Sequence, residues 1–112
     1  MKKIAIPTTN GLLSAHFGHC EKFYVCNLDV NDKIIAEIYL PSPPHEPGLL
    51  PGWLSEQGVT DVIAGGMGQR AINLFNENKI NVMVGAPQKP PRNIIEEFLS
   101  GNLILSPNYC NH

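Results

Sequence analysis

The segment Pro41-Ser42-Pro43-Pro44-His45-Glu46-Pro47-Gly48 divides this chain into two differently patterned halves. Four prolines within seven residues fix φ and remove N–H donors, so the stretch reads as a crossing loop. Before it lie strand patterns. Lys3 to Pro7 is a short strand with Ile4 and Ile6 on one face and the small Ala5 on the other. Thr8 to Gly18 reads as polar loop. In Lys22 to Asp29, Phe23, Val25 and Asn27 alternate with Tyr24, Cys26 and Leu28. Asn31-Asp32 is a turn, and Lys33 to Leu40 returns as the second strand of an antiparallel hairpin.

After the prolines the pattern changes to strand–helix alternation. Pro51 suits a first helical turn, with Leu50, Trp53 and Leu54 as an apolar face and Gly58 as the stop. Asp61 to Ala64 is a strand, Gly65 to Gly68 a tight turn, and Gln69 to Asn78 a helix with Ala71, Ile72, Leu74 and Phe75 inward. Asn81 to Val84 is another strand. Arg92 to Ser100 is a last helix with Ile94, Ile95, Phe98 and Leu99 on its core side, capped by Gly101. Leu103-Ile104-Leu105 is a candidate pairing segment, and the rest reads as tail. A hairpin followed by strand–helix units implies an α/β fold: one mixed sheet of about five strands, with helices on both faces. At 112 residues, with no repeat and no long linker, residues 1–112 are expected to form one domain, with 106–112 as a flexible tail.

Composition excludes several classes. The formal net charge is −2 and no Lys/Arg cluster stands out, which argues against nucleic acid or an acidic membrane surface as partner. No apolar run approaches the roughly 18 residues of a membrane span. Met1-Lys2-Lys3 resembles the start of a signal peptide, but the apolar stretch behind it stops at Pro7-Thr8-Thr9-Asn10. A cytoplasmic protein is therefore expected, in which disulfides do not hold the fold.

Metal-ligating residues concentrate in two places. His16-Phe17-Gly18-His19-Cys20 packs two imidazoles and a thiol into five residues, and Cys110 and His112 form a second pair. Thiolate and imidazole select copper, zinc, iron–sulfur and other metal–sulfur centres rather than magnesium or calcium. There is no paired C-x-x-C knuckle that would indicate structural zinc. Cys26, mid-strand among apolar neighbours, reads as a buried core thiol.

The order and spacing of several stretches resemble the dinitrogenase iron–molybdenum cofactor biosynthesis family across nearly the whole chain. They are His16 to Cys20 with Lys22-Phe23, Pro47 to Pro51 with Trp53-Leu54, and Val62 to Gly68 with Arg70-Ala71. The terminal Cys110-Asn111-His112 is similar to a Cys-Asp-His ending of some members. The resemblance implies a ribonuclease H-like three-layer sandwich and a non-catalytic role: binding, carrying or protecting a metal–sulfur cluster of iron, molybdenum or copper. It also implies that the first strand lies beside Asp61 to Ala64. The loops after both strands and after Val84 would then meet at the carboxyl edge of the sheet. The implied metal ligands are His16, His19, Cys20, Cys110 and His112. Gly65, Gly66, Met67, Gly68 and Arg70 would contact the cluster through close backbone approach, free helix N–H donors and a charge-assisted bond. The partners implied are the cluster or its precursor, and a cluster-assembly protein or ATPase.

Plainer readings stand beside these. His16 and His19 can be ordinary loop residues, the glycine turn a simple strand-to-helix connection, Met67 packing at a helix start, and the terminal Cys/His pair a tail. His45 reads as solvent-facing. A nuclease would need clustered carboxylates for two metal ions, and Asp29, Asp32 and Asp61 are not so spaced. Acyl transfer by Cys20 lacks an orienting carboxylate nearby in sequence. A metal- or redox-responsive interaction module without a stable cluster is the main alternative.

Overall fold

The computed structural model describes residues 1–17, 20–43 and 48–106. Its elements are β1 (Lys2–Thr9), β2 (Leu12–Leu13), β3 (Lys22–Leu28), β4 (Ile34–Pro41), α1 (Leu49–Glu56), β5 (Asp61–Ile63), α2 (Gln69–Glu77), β6 (Asn81–Met83) and α3 (Pro91–Ser100). The described strands form one mixed sheet in the order β4-β3-β1-β5-β6, with β2 paired to the end of β1.

β1 is the central strand because it is apolar on both faces. It pairs antiparallel with β3, from Lys2 opposite Leu28 to Thr8 opposite Lys22. On its other side it runs parallel to β5, with Ile4 opposite Asp61 and Ala5 opposite Val62. Strand alternation splits the core in two. Ala5, Phe23, Val25 and Val62 pack with Leu54 of α1 and Phe75 of α2 on one face. Ile4, Ile6, Tyr24, Cys26 and Ile63 pack with Ile94 and Ile95 of α3 on the other. Helices therefore cover both faces, and Cys26 is the fully buried thiol expected.

Three details depart from the sequence reading. The loop after β1 contains a sixth strand, β2, folded back by Asn10 (φ 56°) and Gly11 (φ 79°). Two successive positive φ values suit a primed hairpin turn, which Asn-Gly favours. Pro41 is the last residue of β4 rather than the first of the loop; an edge strand tolerates a missing N–H on its outer side. Leu103 to Leu105 forms no strand. Pro44 to Pro47, including His45, lies outside the described residues.

On the α3 face, the Tyr24 hydroxyl donates to Glu37 Oε2 at 2.7 Å. Burial, then that carboxylate, pushes the Tyr24 phenol well above its ordinary range. Burial also raises the Cys26 thiol, partly offset by its hydrogen bond with Tyr24. Both groups hold in the folded state protons that the unfolded chain releases. Their contribution is thus complete below about pH 8.5, the ordinary thiol pKa, and is lost as pH rises. The melting temperature should fall between about pH 8.5 and about pH 10.5, and Tyr24→Phe should flatten the upper part of that decline. A flat profile in calorimetry would contradict the burial.

Candidate functional site

The parallel pairing of β1, β5 and β6 opens their following loops at the same edge, as the family resemblance implied. The loop after β1 is tied to the loop after β5 by a short parallel bridge between His16 and Gly66. Gly66 N–H donates to Ala15 O at 2.7 Å, and Phe17 N–H donates to Gly66 O at 2.9 Å. Phe17 anchors this crossing. Its ring is buried, edge-on to Phe75 at 5.2 Å and tilted against Phe23 at 6.0 Å. Only His16 of this pair faces outward, and it is exposed.

Both polar groups of Gly66, one of the glycines expected to let the backbone approach a cluster closely, bind the His16 loop. The Gly65 carbonyl likewise accepts from Gly85 N–H at 2.6 Å. Met67, expected to contact the cluster, is buried in the core at 1% exposure. Further donors belong to the start of α2. Gly68 is its N-cap residue, no side chain caps it, and its first turn holds no acid. The first-turn N–H groups therefore lack intrahelical partners and carry a partial positive charge. Arg70, exposed in that turn, adds a formal one.

Cys20 lies farther along the same edge, just before β3. Glu21 is clamped on both sides there, donating to Thr8 O at 2.9 Å and accepting from Ser42 N–H at 3.1 Å. The thiol is half-buried and packs against the α1–α2 side of the core. Burial pushes its pKa up, and a hydrogen bond with the Ser42 side chain offsets part of the rise. His19, Cys110 and His112 lie outside the described residues.

Two contributors were not legible in the sequence. Ser42, beyond a proline, carries no signal of its bond to Cys20. Gly85, with φ 88°, opens the third loop, and Ser106 N–H donates to its carbonyl at 2.8 Å. The place a Gly85 Cβ would occupy is taken by the Ser106 carbonyl. The segment after α3 is thus seated at the carboxyl edge beside Gly65, and its glycine could have suggested a close approach. Beside His16 lies an open depression of about 320 Å³ whose lining includes Thr9, Ser14 and Gln88.

Among the described residues, no three His, Cys, Asp or Glu side chains are grouped to hold a metal ion. The buried acid Asp61 sits at the start of β5, at the far edge, bonded by Thr60 Oγ1 at 2.6 Å. From the described residues the edge presents the Cys20 thiol, the His16 imidazole, a helix N-terminus and an arginine. Such a set suits a soft anion that brings its own sulfide ligands better than a bare cation. No helix among the described residues is long and apolar enough to cross a membrane.

Comparison with known proteins agrees with this architecture. The family described as "Dinitrogenase iron-molybdenum cofactor" matches residues 1–101. A relative, uncharacterized protein MJ0580 of Methanocaldococcus jannaschii, is 33% identical over 86 residues, 73% of each chain. The crystal structure of PH0822 superposes with a TM-score of 0.86 at 27% identity, over 94% of this chain and 95% of that one. The apo form of the orange protein from Desulfovibrio gigas gives 0.75 at 21% identity, over 96% and 95%, a likeness of fold alone. On the extent of these matches, the chain belongs to the dinitrogenase iron-molybdenum cofactor family.

Proposed function

We propose that this protein binds and carries a metal–sulfur cluster at the carboxyl edge of its sheet, without catalysing a reaction on it. The observation that carries the reading is the His16–Gly66 bridge. It fixes the backbone of the exposed His16 against the turn that leads into the uncapped start of α2, on the edge that also holds Cys20. In this reading Cys20 and His16 supply soft ligation. The first-turn N–H groups of α2, with Arg70, hydrogen-bond the anionic sulfides. His19, Cys110 and His112 complete the ligand set. The seat of Ser106 against Gly85 supports a role for the tail, because it brings the chain to this edge a few residues before Cys110. The family's description supports iron and molybdenum as metals, with molybdenum–copper sulfide as the other candidate. The sheet order suits the ribonuclease H-like sandwich that the resemblance implies, and the remoteness of Asp61 from this edge weighs against nuclease chemistry. A cluster-assembly protein or ATPase would deliver or receive the cargo.

Anaerobic reconstitution tests this. The protein is loaded with thiomolybdate and copper, or with iron and sulfide, then desalted, and retained metal is measured per chain. Wild type should keep its cluster, and Cys26→Ala should keep it while losing stability to a small core cavity. Cys20→Ala should retain at least about 10-fold less, the scale on which even supporting contacts of a metal site act. Equal retention by wild type and Cys20→Ala would contradict the ligand set and favour the metal- or redox-responsive interaction module.

A further inference from the structure

β4 is an edge of the sheet, eight residues long, and its outer side pairs with no described strand. Five consecutive residues, Ile35 to Tyr39, are exposed, with Ile35 at 54%, Ile38 at 48% and Tyr39 at 52%. Long apolar edges are uncommon, because a row of free N–H and C=O groups templates another strand. The direction of that row follows from the register. Pro7 O accepts from Ser14 on the side of β1 away from β3, and Pro7 stands opposite Phe23. Phe23, Val25 and Asn27 therefore turn their polar groups toward β4, and their partners Leu40, Ile38 and Ala36 turn theirs toward β3. The bond from Ser42 N–H to Glu21 O has the same parity. Glu37, Tyr39 and the Pro41 carbonyl consequently face outward.

We infer that β4 is a homodimerisation edge, pairing antiparallel with β4 of a second copy about a two-fold axis at Ile38. A second copy is favoured because the row is complementary to itself in that register. Glu37 and Tyr39 of the two copies exchange both hydrogen bonds, twice. Pro41, which has an acceptor and no donor, falls opposite Ile35, the unpaired residue at the register shift of β4, so its missing donor lies outside the regular ladder. Each Ile38 meets its own counterpart, with Cα atoms about 4.5 Å apart in such a non-hydrogen-bonded pair. Ala36 meets Leu40. Neighbouring registers are worse. Centring on Glu37 crowds two carboxylates, each held by Arg92 and the Tyr24 hydroxyl, directly opposite each other and sets Tyr39 against Ile35 at the register shift of β4. Centring on Tyr39 places Glu37 against Pro41, where a donor is missing. The two sheets become one, and the carboxyl edges open at opposite ends, so neither cluster site is covered. This inference is independent of the proposed cargo.

Sedimentation equilibrium from about 10 μM to about 1 mM tests it, since one strand edge makes a small interface and a dissociation constant near the micromolar range. Wild type should approach twice the 12.3 kDa chain mass. Ile38→Lys and Ile38→Glu, each with an unchanged circular dichroism spectrum, should each sediment as monomers because like charges face each other. Their equimolar mixture should recover a heterodimer. A wild type that stays monomeric throughout would overturn the inference. So would an Ile38→Lys variant that still dimerises, or a mixture that does not associate.

Discussion

Phe75→Ala should lower the unfolding free energy by about 3–5 kcal/mol, the range for deleting a fully buried aromatic ring. Phe75 has no exposed surface and is the only fully buried residue of α2. It packs among Phe23, Leu54 and Val62 on one side and meets the Phe17 edge on the other. The alanine thus leaves a cavity beneath the loop that carries His16. Two backbone bonds to Gly66 also tie the loop, which should loosen before the sheet does. Urea denaturation gives the stability change, and hydrogen exchange at the Phe17 amide gives the local one. Phe75→Leu, milder at about 1–3 kcal/mol, keeps the second measurement possible if the alanine chain does not fold. A loss below about 1 kcal/mol for Phe75→Ala would contradict the packing.

Gly85→Ala should be nearly as costly for a different reason. A side chain at φ 88° carries strain of about 1–2 kcal/mol. The new methyl group also lands on the Ser106 carbonyl, a backbone atom that cannot rotate away. Overpacking of that kind adds about 1–3 kcal/mol, for a total of about 2–5 kcal/mol. The two parts can be separated. In a chain truncated after Gly101, the Ser106 carbonyl is absent and only the φ strain should remain. An equal cost in both backgrounds, measured by thermal unfolding, would mean that the segment after α3 is not seated on Gly85. If it is seated, Gly85→Ala should also reduce cluster retention in the intact chain, because the tail leaves the edge.

Most of the framework was legible because periodicity reports burial. The Ile4/Ile6 face, the alternation through β3 and the helical spacing of Ile94, Ile95 and Phe98 each follow from which face meets a core. What escaped were features set by single polar atoms. β2 is two residues long, too short for any period, and only Asn10-Gly11 announces it. Pro41 continues a strand because its outer side needs no donor, which depends on knowing that β4 is an edge. The candidate site was legible as a set of motifs and not as an arrangement. The neighbourhood of His16 and Gly66 followed from the sheet order that the family resemblance implied, since no spacing relates a loop after β1 to one after β5. That the Gly66 amide is consumed, and that Met67 turns inward, depends on which partner reaches each group first.

The central claim is that cluster cargo is held at the carboxyl edge by Cys20, His16 and the start of α2. Backbone amide spectra of the isotopically labelled protein, recorded without oxygen before and after addition of the preformed cluster, test it directly, and the 12.3 kDa chain suits the method. The account predicts shifts or broadening concentrated at His16, at Cys20 and at Gly68 through Ala71, with β4 and α3 unaffected. Changes confined to other surfaces, or an unchanged spectrum at saturating cluster, would contradict it.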